Sequence, residues 1–238
     1  MKRLRYGPKG FEKPGLLDAD GNIRDLSGLL DDITPKTLAP AALAVLQAID
    51  PVRLPKVQGS PRLGVPWNGT PKFIAIGLNY HDHAVESNMP VPVEPVIFPK
   101  WTSCLCGAND DIIHPPESTQ MDWEVELGIV IGSQARKVSA DAALSHVAGF
   151  CVANDVSERS WQLEKSGGQW GKGKGFDSFG EPIRAIASRS ISCWKRRTAT
   201  SRRPRPVMPW TRPRYSSASP RKDANTACSC FWRRSARA

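Results

Sequence analysis

Leucine is missing from the last 75 residues of this 238-residue chain, and a single acidic residue, Asp223, lies beyond residue 183. No run of about 18 apolar residues occurs, so no membrane-spanning helix is expected. The charged start MKRLRYGPKG is followed by no apolar stretch of the kind a secretory leader carries. The six cysteines include no C-x-x-C pair. Cys104–Cys106 and Cys228–Cys230 are C-x-C, which argues against a zinc ribbon or a dithiol redox centre. A reduced, cytoplasmic setting is expected.

The net charge of +10 is unevenly placed. Residues 1–183 hold 18 basic and 22 acidic residues, whereas 184–238 hold 15 basic and one acidic. Three parts follow: a small N-terminal unit over 1–66, a central part over 67–183 that carries most of the specific signals, and a basic tail over 184–238. The tail is rich in Arg, Ser, Pro and Ala and keeps no apolar period. It is expected to be disordered, because it has too little apolar surface to offset an ordering cost of roughly 1–2 kcal/mol per residue. A shifted reading frame after about Glu181 would produce such an end. A tail of this charge, with Trp194, Trp210, Tyr215 and Trp232, is also what a nucleic-acid binder carries. That partner is not the expected one.

In the first unit, Asp20-Gly21 between apolar stretches predicts a hairpin. TPKTLAPAALAVLQAID predicts a helix beginning near Thr37 or Pro40. Further on, KFIAIGLNY, VEPVIFPKW, DWEVELGIVIG and HVAGFCVAND predict strands. HDHAVES and SERSWQLEKSG predict helices, with Ser157 as a cap for the second. QWGKGKGFDSFGEP predicts a loop.

The strand DWEVELGIVIG carries the sharpest signal. Alternate residues of a strand share a face, so Glu124 and Glu126 project together with Gly128 and Val130. Trp123, Val125, Leu127, Ile129 and Ile131 form an apolar face expected to pack a core. Two adjacent carboxylates raise one another's pKa unless a cation neutralises them, and a hard divalent ion does so. The plain alternative is an exposed edge bearing two unrelated glutamates. Asp155 ends the run VAGFCVAND, where it would complete a carboxylate set for Mg²⁺ or Mn²⁺ or else cap the following helix. His83 and Glu86 are spaced i, i+3, so on a helix the carboxylate can orient the imidazole as a general base. His81-x-His83 as a metal pair, or a chance surface pair, are the rival readings. Gly168 to Lys174 approaches a phosphate-loop pattern, but Gly175 stands where the metal-binding hydroxyl belongs and no strand precedes it. Nucleotide binding is rejected in favour of a lysine loop over an anionic substrate.

These segments together resemble the fumarylacetoacetate hydrolase family. GLNYHDHAVE is similar to its G-x-N-Y-x-x-H-x-x-E segment, and KWTSCLCGANDDIIHP to its lysine-led stretch ending in a Gly-x-x-Asp turn. DWEVELGIVIG resembles its E-x-E strand, and GFCVANDVSERSWQ its N-D-x-[ST]-x-R-x-x-Q segment. KGKGFDSFGEP resembles its lysine loop, with Glu181 intruding before Pro182. The likeness covers residues 1–182.

The resemblance implies an α+β, mainly β fold. It would be a mixed β-sheet roll with a small N-terminal α+β unit and an incomplete C-terminal part. It implies a metal on Glu124, Glu126 and Asp155, a lid bearing His83 and Glu86, Lys174 at the substrate carboxylate or oxyanion, and Arg159 and Gln162 shaping the pocket. The implied substrate is a small 2,4-diketo acid of the acylpyruvate type, hydrolysed at a C–C bond. Ureidoglycolate lyase, isomerase or decarboxylase activity on the same site are alternatives. An inactive truncated homologue is another, and a completed fold would be expected to form a homodimer.

Overall fold

The computed structural model describes residues 1–182 and 186–187, without the side chains of Glu86, Ile186 and Ala187. Expectations for the tail beyond Ala187 therefore lie outside the described residues.

Three short strands open the chain: β1 (Lys2–Tyr6), β2 (Lys13–Leu17) and β3 (Ile23–Asp25), joined as an antiparallel meander. The β2–β3 turn is the expected Asp20-Gly21 hairpin. Gly21 takes the left-handed conformation at φ +83°, and the Asp18 carboxylate accepts from the backbone N–H groups of Asp20 and Asn22. Helix α1 (Pro40–Gln47) follows, with proline in its first turn, where a missing N–H costs nothing.

Next come β4 (Phe73–Gly77), α2 (His81–Glu86) and β5 (Val96–Lys100), with β4 and β5 paired as a separate two-stranded sheet. The long pair β7 (Val125–Ile131) and β8 (Val147–Asp155) runs antiparallel, and α3 (Ala140–Ala143) lies in the connection between them. Met121–Asp122 (β6) pairs with Ser157–Glu158 (β9). The other edge of β8 receives β10 (Gly180–Pro182) and β11 (Ile186–Ala187), and β11 in turn pairs with β1. One seven-stranded sheet results, with β7 at one edge and β3 at the other. Its ladders are antiparallel, and a parallel bridge joins Leu105 to Gly180. The class is α+β, mainly β.

Two cores hold these layers. Ile33, Leu38, Leu43 and Leu46 pack on Val130 and Ala148, so the α1 region covers the far end of the β7 face that carries Glu126. Gly132 permits this approach, because a Cβ there would sit 2.4 Å from the Leu38 carbonyl oxygen. Cys104, Val156 and Phe179 form the second core. Arg3 reaches from β1 to the Ala148 carbonyl at 3.2 Å, and Arg62 grips both carboxylate oxygens of Asp110, the last residue of the Gly-x-x-Asp turn.

Three local expectations are corrected. The apolar face of β7 does not pack a core: Trp123, Val125, Leu127, Ile129 and Ile131 are 46–59% exposed. The strand lies at the sheet edge, and among the described residues no layer covers that side. Ser157 is not a helix cap but part of β9, and the capping contact comes from Glu158, whose carboxylate accepts from the Trp161 N–H at 2.6 Å. The segment Ser160–Lys165 then winds as a π-helix. The glycine-rich loop is helical over α4 (Trp170–Lys174). Its glycines allow close packing rather than looseness: a Cβ on Gly173 would meet the Gln162 backbone nitrogen at 2.5 Å. Trp170 stands edge-on to Phe98, their ring centres 5.5 Å apart.

Candidate active site

Where β7 begins and β8 ends, the backbone places two carboxylates side by side. The Asp155 N–H donates to the Glu124 carbonyl at 2.8 Å, which aligns the start of one strand with the rim of the other. Glu126, two residues along β7, falls on the Glu124 face, as the strand period requires. The structure therefore brings Glu124, Glu126 and Asp155 to one rim.

Three cations converge on them. The Lys174 ammonium lies 2.8 Å from Glu124 Oε2, 3.1 Å from Asp155 Oδ2 and 2.7 Å from Ser157 Oγ. Lys174, expected in a loop over an anionic substrate, is buried, its side chain 2% exposed. Lys100, at the end of β5, is fully buried and donates to Asp155 Oδ1 and to the Lys174 carbonyl. Arg159 holds Glu124 Oε1 at 2.6 Å, Asp122 Oδ2 at 2.8 Å and Gln162 Oε1 at 2.9 Å. Arg159 and Gln162 therefore stand together on the Glu124 side.

Glu126 is the carboxyl left over. Among the described residues it enters no ion pair, and burial, with Glu124 and Asp155 nearby, pushes its pKa up to about 7. Tyr80, the residue before α2, has its phenol raised by burial and by the Glu126 charge, which places the start of α2 beside the cluster. His83 sits half-buried on α2, and Glu86 ends the same helix. His81 is exposed and faces Asp82 at 3.8 Å.

Two residues of the site escaped sequence reasoning. Lys100 carried a faint signal, a lone lysine closing an apolar strand and heading the lysine-led stretch. Glu158 carried none. Fully buried, its carboxylate accepts from the N–H groups of Thr119, Gln120 and Trp161 and from the hydroxyls of Ser118 and Ser160. Burial would raise its pKa, but these hydrogen bonds outweigh it and hold the group down to about 2. Glu158 thereby ties the 118–120 loop to the segment carrying Arg159 and Gln162.

A cavity of about 650 Å³ lies elsewhere, lined by Lys9, Ser103, Cys106, Asp110, Asp177 and Ser178 among others. None of the eight residues expected at the site lines it. Among the described residues, no group of three or more His, Cys, Asp or Glu side chains is drawn together as tightly as a metal ion needs. The donor chemistry nevertheless suits a hard divalent ion, with carboxylate oxygens only and with Glu126 engaged in no ion pair among the described residues. The Lys174 ammonium bridges Glu124 and Asp155.

A family model, the C-terminal domain of fumarylacetoacetate hydrolase, matches residues 72–200, more than half of the chain. The chain belongs to the fumarylacetoacetate hydrolase family. A protein of Burkholderia ambifaria, named only as a hydrolase, is 61% identical over 180 residues, which are 76% of this chain and 64% of that protein. The chain thus spans less than two thirds of the curated relatives it matches. Among solved structures, the fumarylacetoacetate hydrolase of Exiguobacterium antarcticum superposes with a TM-score of 0.61 at 30% identity, covering 79% of this chain and 66% of that one. The 5-carboxymethyl-2-hydroxymuconate delta-isomerase of Mycobacterium smegmatis gives 0.56 at 27% identity, covering 79% and 66%. Among the described residues, no helix is long and apolar enough to cross a membrane.

Proposed function

We propose that the protein is a metal-dependent hydrolase acting on a C–C bond of a small 2,4-diketo acid of the acylpyruvate type. The observation that carries this reading is the meeting of Glu124, Glu126 and Asp155 at one strand rim with Lys174 and Arg159 against them. The carboxylates would hold Mg²⁺ or Mn²⁺, which when bound supplies Lewis-acid polarisation of the substrate's keto oxygens.

The chain's own groups do the rest. Arg159 and Lys174 offer cationic partners for the substrate carboxylate, with Gln162 steadying the Arg159 guanidinium. His83 takes a proton from water, and the hydroxide attacks the distal carbonyl. The C–C bond breaks with its electron pair leaving on the pyruvate fragment as an enolate, whose charge Lys174 balances. Isomerisation of a related keto acid is the second reading, favoured by the likeness to the M. smegmatis isomerase.

The test is ultraviolet-monitored loss of an acylpyruvate with the full chain, with Mg²⁺ and with chelator. Mg²⁺-dependent turnover is expected. His83→Ala should lower kcat by about 10²–10⁴-fold, the usual yield of general-base catalysis, while Mn²⁺ affinity stays unchanged. Equal turnover by His83→Ala would remove that residue from the mechanism. No Mg²⁺-dependent loss of any acylpyruvate would contradict the hydrolase reading.

A further inference from the structure

We propose that Lys174 is a tethered counter-ion for the carboxylate set, one that must leave before a divalent ion is held there. The inference rests on the metal reading above and adds a competition inside the chain. An ammonium has three N–H donors, and those of Lys174 are matched by Glu124 Oε2, Asp155 Oδ2 and Ser157 Oγ. Its aliphatic arm is buried, and the Nζ atom lies 5.6 Å from the centre of the Phe98 ring. This is a finished binding geometry rather than a lysine passing by.

A divalent ion and the Lys174 ammonium compete for these oxygens. A divalent ion needs the same lone pairs of Glu124 and Asp155, and at such distances like charges repel strongly in a partly dry site. The part that yields is the side chain. The Lys174 carbonyl is held by Lys100, Gly173 lies against the Gln162 backbone, and a Cβ on Gly175 would meet the Gly171 carbonyl oxygen at 2.5 Å. The main chain at Lys174 is therefore fixed while four methylenes can swing the ammonium out. In the metal-free chain Lys174 keeps Glu124 and Asp155 from repelling one another. On metal entry it becomes available to an anionic substrate.

The test is Mn²⁺ titration, by electron paramagnetic resonance, of the full wild-type chain and of Lys174→Met, which keeps a similar apolar arm without the charge. Thermal unfolding of both is measured without metal. Lys174→Met is expected to bind Mn²⁺ about tenfold more tightly or better. Without metal it should unfold about 5 °C lower, because two carboxylates lose their counter-ion. Lys174→Gln replaces Lys174→Met should that variant fail to fold. Measurable wild-type binding with equal or weaker affinity in the neutral variant overturns the displacement and leaves the metal site standing. Absence of Mn²⁺ binding in both proteins overturns the metal reading and the displacement with it.

Discussion

Lys100→Met is expected to lower the stability of the chain by about 3–5 kcal/mol, the usual cost of removing one partner from a buried ion pair. Burial depresses the Lys100 pKa despite the Asp155 charge, so the group is held in place against its own desolvation. What it holds is specific. Its ammonium joins Asp155 Oδ1 on β8 to the carbonyl of Lys174 on α4, two groups that no backbone hydrogen bond connects. Asp155 keeps Lys174 as a second cation, which softens the loss, but the Lys174 carbonyl loses a buried donor. Urea unfolding at neutral pH measures the effect. A change below about 1 kcal/mol would mean that β5 does not anchor the site. Lys100→Arg should recover little, since a guanidinium is larger than the space a fully buried ammonium occupies.

Glu158→Ala is the second large effect, again about 3–5 kcal/mol. Five donors aim at this carboxylate, and three are backbone N–H groups that cannot turn elsewhere. Each buried donor left without a partner costs about 1–3 kcal/mol before relaxation. The pH dependence has a definite sign. The folded pKa is depressed, from 4.5 to about 2, so the unfolded chain binds the proton first as pH falls. The contribution is therefore complete above about pH 4.5 and lost as pH drops through about 2. The stability gap between wild type and Glu158→Ala should be widest at pH 7 and clearly narrower at pH 3. A gap that stays constant between those values would show that the ionised carboxylate is not what the donors hold.

Much of the fold was legible from apolar runs and turn residues. The strands β4, β5, β7 and β8, the hairpin at Gly21 and helices α1 and α2 all lie in the segments whose patterns point to them. The placing of Glu124 and Glu126 on one face followed from the strand period alone. The side of β7 that would be covered did not follow. An apolar face says what a strand could bury, whereas burial depends on a second layer, and here the opposite, carboxylate-bearing side lies nearer the core.

The glycine-rich segment misled for a related reason. Glycine weakens local helix propensity, so GKGKG reads as a loop. The structure uses those glycines to bring α4 against the Gln162 backbone, a tertiary demand invisible in the local pattern. Glu158 was hidden because a glutamate in a polar segment looks solvated. Only the paired strands β6 and β9 show that it is enclosed.

The most direct test of the carboxylate set is a Mn²⁺ titration of the wild-type chain beside Glu126→Ala. Glu126 is the informative position because it takes no part in the ion pairs of Glu124 and Asp155, so its removal leaves the rim and its cations intact. The expected result is one Mn²⁺ bound by wild type and an affinity weaker by about a hundredfold or more in the variant, a loss no smaller than outer-shell changes produce at metal sites. Equal affinity in the two proteins, or no binding by the wild-type chain, would contradict a divalent-ion site at Glu124, Glu126 and Asp155.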